Sequence, residues 1–225
     1  MVIKLGYWEI RGLAAPIRYL LEHVGAEYEE KMYKYGQPPT IDRQDWLKEK
    51  FNLGLDFPNL PWLVDGDVKL TQSSVIMHYL ARKFNICGKN ETDQLRADLL
   101  YSQVIDYHRD FWRLSYDPEF NKLKGDYAKT LPDKFKALTK FLGSNKYAVG
   151  DYVTCVDFVL FEYLESQLYF DKDVLKDFPE LDQYHKRVAG LDSMVKYFSS
   201  DKAIKYPFNG APALFGGAFS DQLNK

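Results

Sequence analysis

The segment from Pro58 to Ser74 constrains the fold of this 225-residue chain more than any other part of it. The dipeptide Asp65-Gly66 stands between two short apolar runs, at residues 62–64 and 68–70. Asp-Gly is a preferred sequence for the tight turn of a β-hairpin, because glycine accepts a positive φ without strain. The segment therefore predicts two antiparallel strands joined by a tight turn.

A helix is predicted directly after this hairpin. Apolar residues follow helical spacing from Val75 to Phe84, and Ser73 and Ser74 precede them as capping residues. Pro61 enters the first strand without an N–H, so backbone groups stay available at that end. The start of the helix offers N–H groups and the positive end of a dipole to a carboxylate. Together these features could hold an extended peptide by its backbone and by its carboxylate.

The residues before the hairpin indicate a β-α-β unit. Residues 2–7 are typical of a strand, residues 14–24 of an amphipathic helix and residues 27–33 of a second strand. Residues 36–51 form a polar loop with one possible helical turn around Trp46. A crossover helix implies a parallel central pair of strands, and the hairpin adds an antiparallel edge.

The second half of the chain indicates helices and no convincing strand. The helical segments follow a linker at 85–90 and comprise residues 91–115, 119–142, 154–169, 178–189 and 191–200. From Pro207 the chain is glycine-rich, and we expect it to be irregular. We therefore predict an α/β domain at 1–84 and an all-helical domain at 91–225 that carries this tail.

Thr154 has the clearest pattern of a helix start. Asp157 follows three residues later, as in a capping box, and Val153 and Phe158 stand where a hydrophobic staple would. We assign this element a role in folding and none in function.

Composition and charge limit the partners that this chain is expected to have. A formal net charge of −2 and a pI near 6.1 give no reason to expect nucleic acid or an anionic membrane. No apolar run approaches the roughly 18 residues of a membrane span, and the N-terminus runs into a strand without a secretory signal. Cys87 and Cys155 lie far apart without a metal-binding or dithiol pattern. We therefore expect no metal site and a cytoplasmic location.

Tyr7 ends the first predicted strand, just before a turn at Arg11-Gly12. On its own it is one of 17 tyrosines and is expected at the surface. A phenol has a pKa of about 10, so at pH 7 it donates a hydrogen bond and is a poor base. The residue itself leaves two interpretations open: a surface side chain, or a hydrogen-bond donor in a site.

Three long motifs occur in order, at Gly6–Leu13, Asp42–Phe51 and Leu53–Pro61. They closely resemble motifs of mu-class glutathione transferases. The likeness continues through the second half of the chain at Asp106, Tyr116-Asp117-Pro118, Gly150-Asp151 and Asp157-Phe158. The long tail is similar to that of helminth and other invertebrate members. The resemblance implies a thioredoxin-like α/β domain followed by an all-α domain.

The resemblance also implies a glutathione site. Tyr7 is expected to donate a hydrogen bond to the glutathione sulfur. The other expected contacts are Trp8, Arg43, Trp46 and Lys50 at the glycyl end, Asn59 and Leu60 at the cysteinyl part, and Gln72 and Ser73 at the γ-glutamyl group. Asp106 is expected to reach the γ-glutamyl amine in the partner subunit's site, and the Leu60–Pro61 peptide is expected to be cis.

An apolar pocket for the electrophile is implied as well. Its expected members are Ile10, Leu13, Tyr35, Ile105, Trp112, Tyr116 and Phe208. Tyr116 resembles a second catalytic tyrosine that donates to developing negative charge, although packing beside Pro118 is an alternative. Trp112 is bulkier than expected, which implies a narrower or more aromatic pocket. Without the resemblance, the apolar members of this set would be expected simply in the core.

A homodimer is expected from the same resemblance. Phe57, between Asp56 and Pro58, is expected to insert into a pocket between helices of the partner's second domain. His78 stands where vertebrate relatives often have arginine at the dimer axis.

The expected function is transfer of glutathione, as co-substrate and without a further cofactor, to hydrophobic electrophiles. A non-catalytic member of the fold, either a carrier of hydrophobic ligands or a structural protein, remains an alternative. A glutaredoxin-like thiol reductase is disfavoured, because no cysteine lies near Tyr7.

Overall fold

A computed structural model describes residues 2–223 of the chain. The described residues form two compact units. One unit runs up to Leu80 and resumes at Tyr197, and the other is Ala81–Lys196. The domain limits inferred from the sequence stay a prediction. The structure adds that the tail, which the sequence analysis placed with the helices, belongs to the unit that contains the strands.

A four-stranded sheet forms the centre of the first unit. Its strands are β1 (Ile3–Trp8), β2 (Tyr28–Tyr33), β3 (Trp62–Asp65) and β4 (Val68–Thr71), in the order β2-β1-β3-β4. The pair β1–β2 is parallel, and the pairs β1–β3 and β3–β4 are antiparallel. Gly66 in the β3–β4 turn has a φ of 62°, as the Asp-Gly signal predicts. The predicted mixed sheet and its hairpin are confirmed.

Three α-helices accompany this sheet, namely α1 (Ala15–His23), α2 (Gln44–Leu47) and α3 (Ser73–Lys83). A 3-10 turn at Gly12–Ala14 precedes α1. One detail of the prediction is wrong: Ser73 is the first residue of α3, and Gln72 precedes the helix with a φ of 70°. Gln72 is therefore the residue directly before the helix.

The second unit is helical throughout the described residues. Its helices are α4 (Glu91–Tyr116), α5 (Phe120–Leu142), α6 (Cys155–Phe170), α7 (Pro179–Ala189) and α8 (Asp192–Phe198), whose last residues belong to the first unit. The capping box at the start of α6 is confirmed, with the Thr154 N–H 2.8 Å from Asp157 Oδ2. Between residues 2 and 223, no helix has both the length and the apolar character of a membrane span.

The tail is more ordered than its glycine content suggests. Asn209 bridges to Gly217, and its Nδ2 donates to the Phe215 carbonyl oxygen over 2.9 Å. The Tyr206 hydroxyl donates to the Gly217 carbonyl oxygen over 2.5 Å. A short helix, α9 (Ser220–Leu223), follows, and the last two residues of the predicted tail lie outside the described part of the chain.

Candidate active site

Tyr7 lies near the carboxyl end of β1 and is only 6% exposed. The backbone N–H of Leu13 donates to the Tyr7 hydroxyl oxygen over 3.1 Å. Gly12, between them in the loop, has a φ of 44°, and a Cβ there would lie 2.7 Å from the Tyr7 oxygen. Glycine therefore permits both the backbone conformation and the close approach of this loop to the hydroxyl.

Arg18 of α1 anchors the same loop from inside the unit. Its side chain is fully buried and donates to the carbonyl oxygens of Ile10 (2.7 Å) and Arg11 (3.3 Å). Its Nε also donates to the Glu30 carboxylate over 2.9 Å. Burial disfavours the charged guanidinium, but the attraction of Glu30 outweighs this, so the pKa of Arg18 is raised. The sequence analysis missed this pair, although an arginine within the apolar stripe of α1 was a usable signal.

The tail holds the loop from its other side. The N–H groups of Arg11 and Gly12 donate to the carbonyl oxygens of Pro207 (2.8 Å) and Phe208 (3.0 Å). The Arg11 guanidinium, itself 3% exposed, lies 4.2 Å from the centre of the Phe208 ring. Phe208, expected in the electrophile pocket, therefore packs against the loop that follows Tyr7.

An apolar cluster surrounds Tyr7 and contains most of the predicted site residues of this unit. The predicted members present in it are Tyr7, Trp8, Ile10, Leu13, Tyr35, Trp46 and Leu60. The Trp8 and Tyr35 rings stack with their centres 4.0 Å apart. Tyr33, which the sequence analysis did not single out, contacts Trp46 edge-on and accepts a 3.0 Å hydrogen bond from Trp62 Nε1. The rings of Trp8, Tyr33, Tyr35 and Trp46 thus form one aromatic wall within this cluster.

Backbone groups suited to an extended peptide lie at one end of the hairpin. Trp62 of β3 pairs with Thr71 of β4, so Leu60-Pro61 and Gln72-Ser73 flank the same end. The Leu60–Pro61 peptide is cis, as the resemblance implied. The Leu60 N–H donates to Asn59 Oδ1 over 2.9 Å. The cis peptide and the hairpin end lie where the sequence analysis expected them, whereas the Leu60 N–H is bonded to Asn59, and peptide binding at this end stays a prediction.

The two predicted cations lie on either side of α2. Arg43 is the exposed residue that precedes the helix, and Lys50 follows it, half-buried. Trp46, between them, is 5% exposed and anchors the helix in the apolar cluster. A buried anchor between two accessible cations is suited to a carboxylate ligand.

In the second unit, the predicted pocket residues share one helix. Ile105, Trp112 and Tyr116 are spaced by seven and four residues along α4, which places them on one face. The Trp112 ring stacks on His108 with centres 4.7 Å apart, and Tyr116, the last residue of α4, is 43% exposed. Asp106 is exposed and forms a 2.9 Å ion pair with Arg109 of its own helix.

Two further features are an exposed apolar side chain and an apolar cavity. Phe57 is 76% exposed, and the carbonyl oxygen of this residue accepts a 2.9 Å hydrogen bond from the Thr71 hydroxyl. A cavity of about 190 Å³ lies between α4 and α5. Its lining comprises Leu99, Leu100, Gln103, Tyr107, Ala137, Leu138 and Phe141. His78 lies half-buried on α3.

Both cysteines are free thiols. Burial raises the pKa of Cys155 to about 12, which makes this thiol a poor nucleophile. Within the described residues, no cluster of three or more His, Cys, Asp or Glu side chains could hold a metal ion.

Comparison with family models decides the assignment of the chain. Residues 3–82 match the model of the glutathione S-transferase N-terminal domain, and residues 97–201 match that of the C-terminal domain. The chain belongs to the glutathione S-transferase family. The expected fold class, a thioredoxin-like domain followed by an all-α domain, is confirmed.

Curated glutathione S-transferases of the mu class resemble the chain over nearly its whole length. Glutathione S-transferase Mu 2 of Macaca fuscata fuscata is 45% identical over 96% of this chain and 99% of the relative. Glutathione S-transferase Mu 2 of Homo sapiens is 44% identical over the same shares. The expected assignment to the mu class is confirmed.

Solved glutathione S-transferases share the fold. The crystal structure of the glutathione S-transferase Blo t 8 has a TM-score of 0.88 and 33% identity, over 95% of this chain and 99% of that one. A pi-class glutathione S-transferase of Onchocerca volvulus has a TM-score of 0.84 and 31% identity, over 95% of this chain and 100% of that one.

Proposed function

We propose that this glutathione transferase uses Tyr7 to hold glutathione as its thiolate for attack on hydrophobic electrophiles. The hydrogen bond from the Leu13 N–H to the Tyr7 oxygen carries this proposal. In that bond the phenol is the acceptor, so the bond does not use the hydroxyl proton. A hydrogen bond received at the oxygen also polarises the O–H and strengthens it as a donor. Tyr7 is thereby suited to donate to a sulfur anion.

The expected lowering of the glutathione thiol pKa is large enough to change its ionisation at neutral pH. A free thiol has a pKa of about 8.5, so only a few per cent of it is thiolate at pH 7. A hydrogen bond made to the charged form lowers the pKa. Lowering it by about two units makes the thiolate dominant and corresponds to roughly 2.7 kcal/mol of selective stabilisation. The thiolate then attacks the electrophilic carbon directly, without a covalent enzyme intermediate.

Glutathione is proposed to lie along the hairpin end and the aromatic wall. The backbone of Leu60 is proposed to pair with the cysteinyl residue of glutathione. For this the Leu60 N–H exchanges its hydrogen bond to Asn59 Oδ1 for one to the cysteinyl backbone. Gln72 and Ser73, at the start of α3, bind the γ-glutamyl group, where helix N–H groups favour a carboxylate. The glycyl carboxylate is proposed to lie near two cations, Arg43 and Lys50, which stand on either side of α2. Trp8 and Trp46 are proposed to lie beside it.

The pocket for the electrophile stays a proposal that rests on the family resemblance. Its proposed members are Ile10, Leu13, Tyr35, Ile105, Trp112, Tyr116 and Phe208. Tyr116 is proposed to donate to negative charge that develops on the electrophile.

The functional form is proposed to be a cytoplasmic homodimer. Phe57 is exposed where a monomer gains nothing from a large apolar side chain, and the cavity between α4 and α5 offers a receptor of suitable character. Asp106 of the partner subunit is proposed to complete the γ-glutamyl site, with His78 near the dimer axis. Two free thiols support a reducing compartment.

Turnover of a chloronitrobenzene by the purified protein in the presence of glutathione tests the activity. We expect conjugation well above the rate without protein, and no conjugation when glutathione is omitted. Binding of glutathione without turnover of any electrophile in a chemically varied panel would contradict the proposal and favour a non-catalytic carrier.

A further inference from the structure

Tyr33, the last residue of β2, lies where three segments of the candidate site meet. Its side chain is 0% exposed. The ring contacts Trp46 of α2 edge-on, with centres 5.2 Å apart, and Trp8 at the end of β1 edge-on, with centres 6.2 Å apart. The hydroxyl accepts a 3.0 Å hydrogen bond from Trp62 Nε1 at the start of β3. Tyr33 therefore contacts the end of β1, α2 and the start of β3 at once.

The hydrogen bond from Trp62 holds the start of β3. Trp62 directly follows Leu60-Pro61, and its indole lies across Gly6 of β1, where a Cβ would overlap the ring. The bond is buried, and Trp62 is only 6% exposed, so the Tyr33 hydroxyl takes the place of water as the acceptor. A buried donor that loses its acceptor is costly. The bond therefore favours one position of the indole and of the backbone beside Leu60.

The ring of Tyr33 holds α2 by packing. Trp46 is the buried residue of this helix, and Arg43 and Lys50 stand on either side of it. Burial raises the pKa of Tyr33, and the Glu49 carboxylate raises it further. The hydroxyl is therefore neutral across the pH range in which turnover is measured, so its removal changes a contact and leaves the charge of the site unaltered.

We propose that Tyr33 is a positioning residue that holds the cysteinyl end of the glutathione site, at Leu60, in register with the glycyl end, at α2. The inference rests on the proposed function, which places glutathione along these two segments. Tyr33 acts through Trp46 and Trp62 rather than on the sulfur. It should therefore affect the binding of glutathione and leave the chemistry at Tyr7 unchanged.

Tyr33→Phe tests this proposal, because it removes the hydroxyl and keeps the ring. Calorimetry compares glutathione with γ-glutamylcysteine, which lacks the glycyl residue. In the unaltered chain we expect glutathione to bind roughly tenfold more tightly or better, the usual effect of a hydrogen bond to a charged group. In Tyr33→Phe this ratio of affinities should fall about threefold, the usual effect of one neutral hydrogen bond.

The kinetics of Tyr33→Phe distinguish positioning from chemistry. The KM for glutathione should rise with the loss of affinity, whereas kcat at saturating glutathione and the pKa of the bound thiol should stay as in the unaltered chain. Tyr28→Phe is the matched control, since Tyr28 lies on the same strand and its hydroxyl donates to Glu22 over 3.1 Å. This control should bind both peptides as the unaltered chain does.

The indole N–H signals give a second readout by nuclear magnetic resonance. The chain has four tryptophans, of which Trp8, Trp46 and Trp62 contact Tyr33, while Trp112 lies in the other unit. Tyr33→Phe should shift the first three signals, speed hydrogen exchange at Trp62 Nε1 and leave the Trp112 signal in place. Trp62→Phe removes the same bond from the donor side and should lower the affinity ratio similarly, which keeps the test decisive if Tyr33→Phe does not fold.

The outcomes separate the two proposals. If the unaltered chain binds neither peptide, the proposed function is overturned together with this inference. If it binds glutathione and the variants keep the affinity ratio of the unaltered chain, the inference alone is overturned. It is also overturned if Tyr28→Phe lowers the ratio as much as Tyr33→Phe, because general loosening of the strand would then explain the loss. A fall in kcat as large as the loss of affinity would overturn it too, since Tyr33 would then act on the sulfur.

Discussion

Gly12 determines how closely the loop after β1 can approach the Tyr7 hydroxyl. Its φ of 44° is costly for any residue with a side chain, and a Cβ would overlap the hydroxyl at 2.7 Å. Because the chain can fold back here, the Leu13 N–H reaches the Tyr7 oxygen. At the scale of single residues, the proposed donor thus depends on a glycine as much as on the tyrosine.

Replacement of Tyr7 by Phe tests the donor directly. We expect glutathione to bind with nearly unchanged affinity and turnover to fall by about 10²-fold, the usual loss for one positioned donor to a charged species. The pKa of bound glutathione should rise, so the thiolate should appear at higher pH than in the unaltered chain. Thiolate absorbance against pH measures this. An unchanged titration would show that Tyr7 does not bind the sulfur.

Replacement of Tyr116 by Phe should have an effect that depends on the reaction. Opening of an epoxide forms an alkoxide, so loss of the donor should slow it. Aromatic substitution limited by product release should be nearly unaffected, or faster. Steady-state rates with one substrate of each type make the comparison. Equal losses with both substrates would indicate a packing role beside Pro118.

The tail and the loop after β1 act as one element although they are distant in sequence. Arg11 and Gly12 donate to Pro207 and Phe208, and Asn209 holds the following turn closed. Since Leu13 directly follows Gly12, any loosening of the tail also loosens the N–H that contacts Tyr7. At the scale of elements, we therefore expect the tail to hold the Leu13 N–H in place beside the Tyr7 hydroxyl.

Replacement of Asn209 by Ala tests this coupling. Asn209 is 4% exposed, so the variant loses the bond to the Phe215 carbonyl oxygen inside the tail. We expect faster hydrogen exchange at the amides of Arg11 and Gly12 and a higher pKa of bound glutathione. Asn121→Ala, on the exposed face of α5, is the control and should change neither. Unchanged hydrogen exchange in Asn209→Ala would show that the tail does not position the loop after β1.

The whole molecule has a large exposed apolar side chain in one unit and an apolar cavity in the other. Phe57 projects from its loop, and the cavity of about 190 Å³ lies between α4 and α5. In a two-fold dimer, one such contact implies a second, so its contribution to assembly is doubled. At the scale of the assembly, this pairing is the proposed determinant of the dimer.

Replacement of Phe57 by Ala should shift the protein towards monomer at micromolar concentration. Truncation of a buried phenylalanine costs about 3–5 kcal/mol, and the dimer has two copies. Activity should fall as well, because the proposed contact of Asp106 of the partner subunit with the γ-glutamyl site would be lost. Phe51→Ala is the matched control for assembly, since Phe51 is 75% exposed and its ring contacts Lys50 of its own chain rather than the proposed interface. Sedimentation measures the assembly. A fully dimeric Phe57→Ala with unchanged glutathione affinity would show that Phe57 is not at the interface.

Local patterns predicted most of the elements. The Asp65-Gly66 turn, the apolar spacing of α1 and the Thr154–Asp157 capping box each depend on residues a few positions apart, so their physics is legible in the sequence. The start of α3 was placed less well, because no local pattern predicts a positive φ at a glutamine such as Gln72. The roles of the site residues were inferred from whole motifs, since no local rule distinguishes Tyr7 from the other tyrosines.

The sequence by itself determined which segments are strands and helices, because hydrophobic periodicity and turn chemistry act over short stretches of chain. It also placed Tyr7 near the end of a strand and Pro61 beside the hairpin, whereas the cis state of the Leu60–Pro61 peptide was implied by the family resemblance. Only the tertiary structure joined Arg18 to Glu30, and Arg11 and Gly12 to the tail nearly two hundred residues away. Such contacts produce no periodic pattern in the sequence, because each forms between residues that only folding brings together.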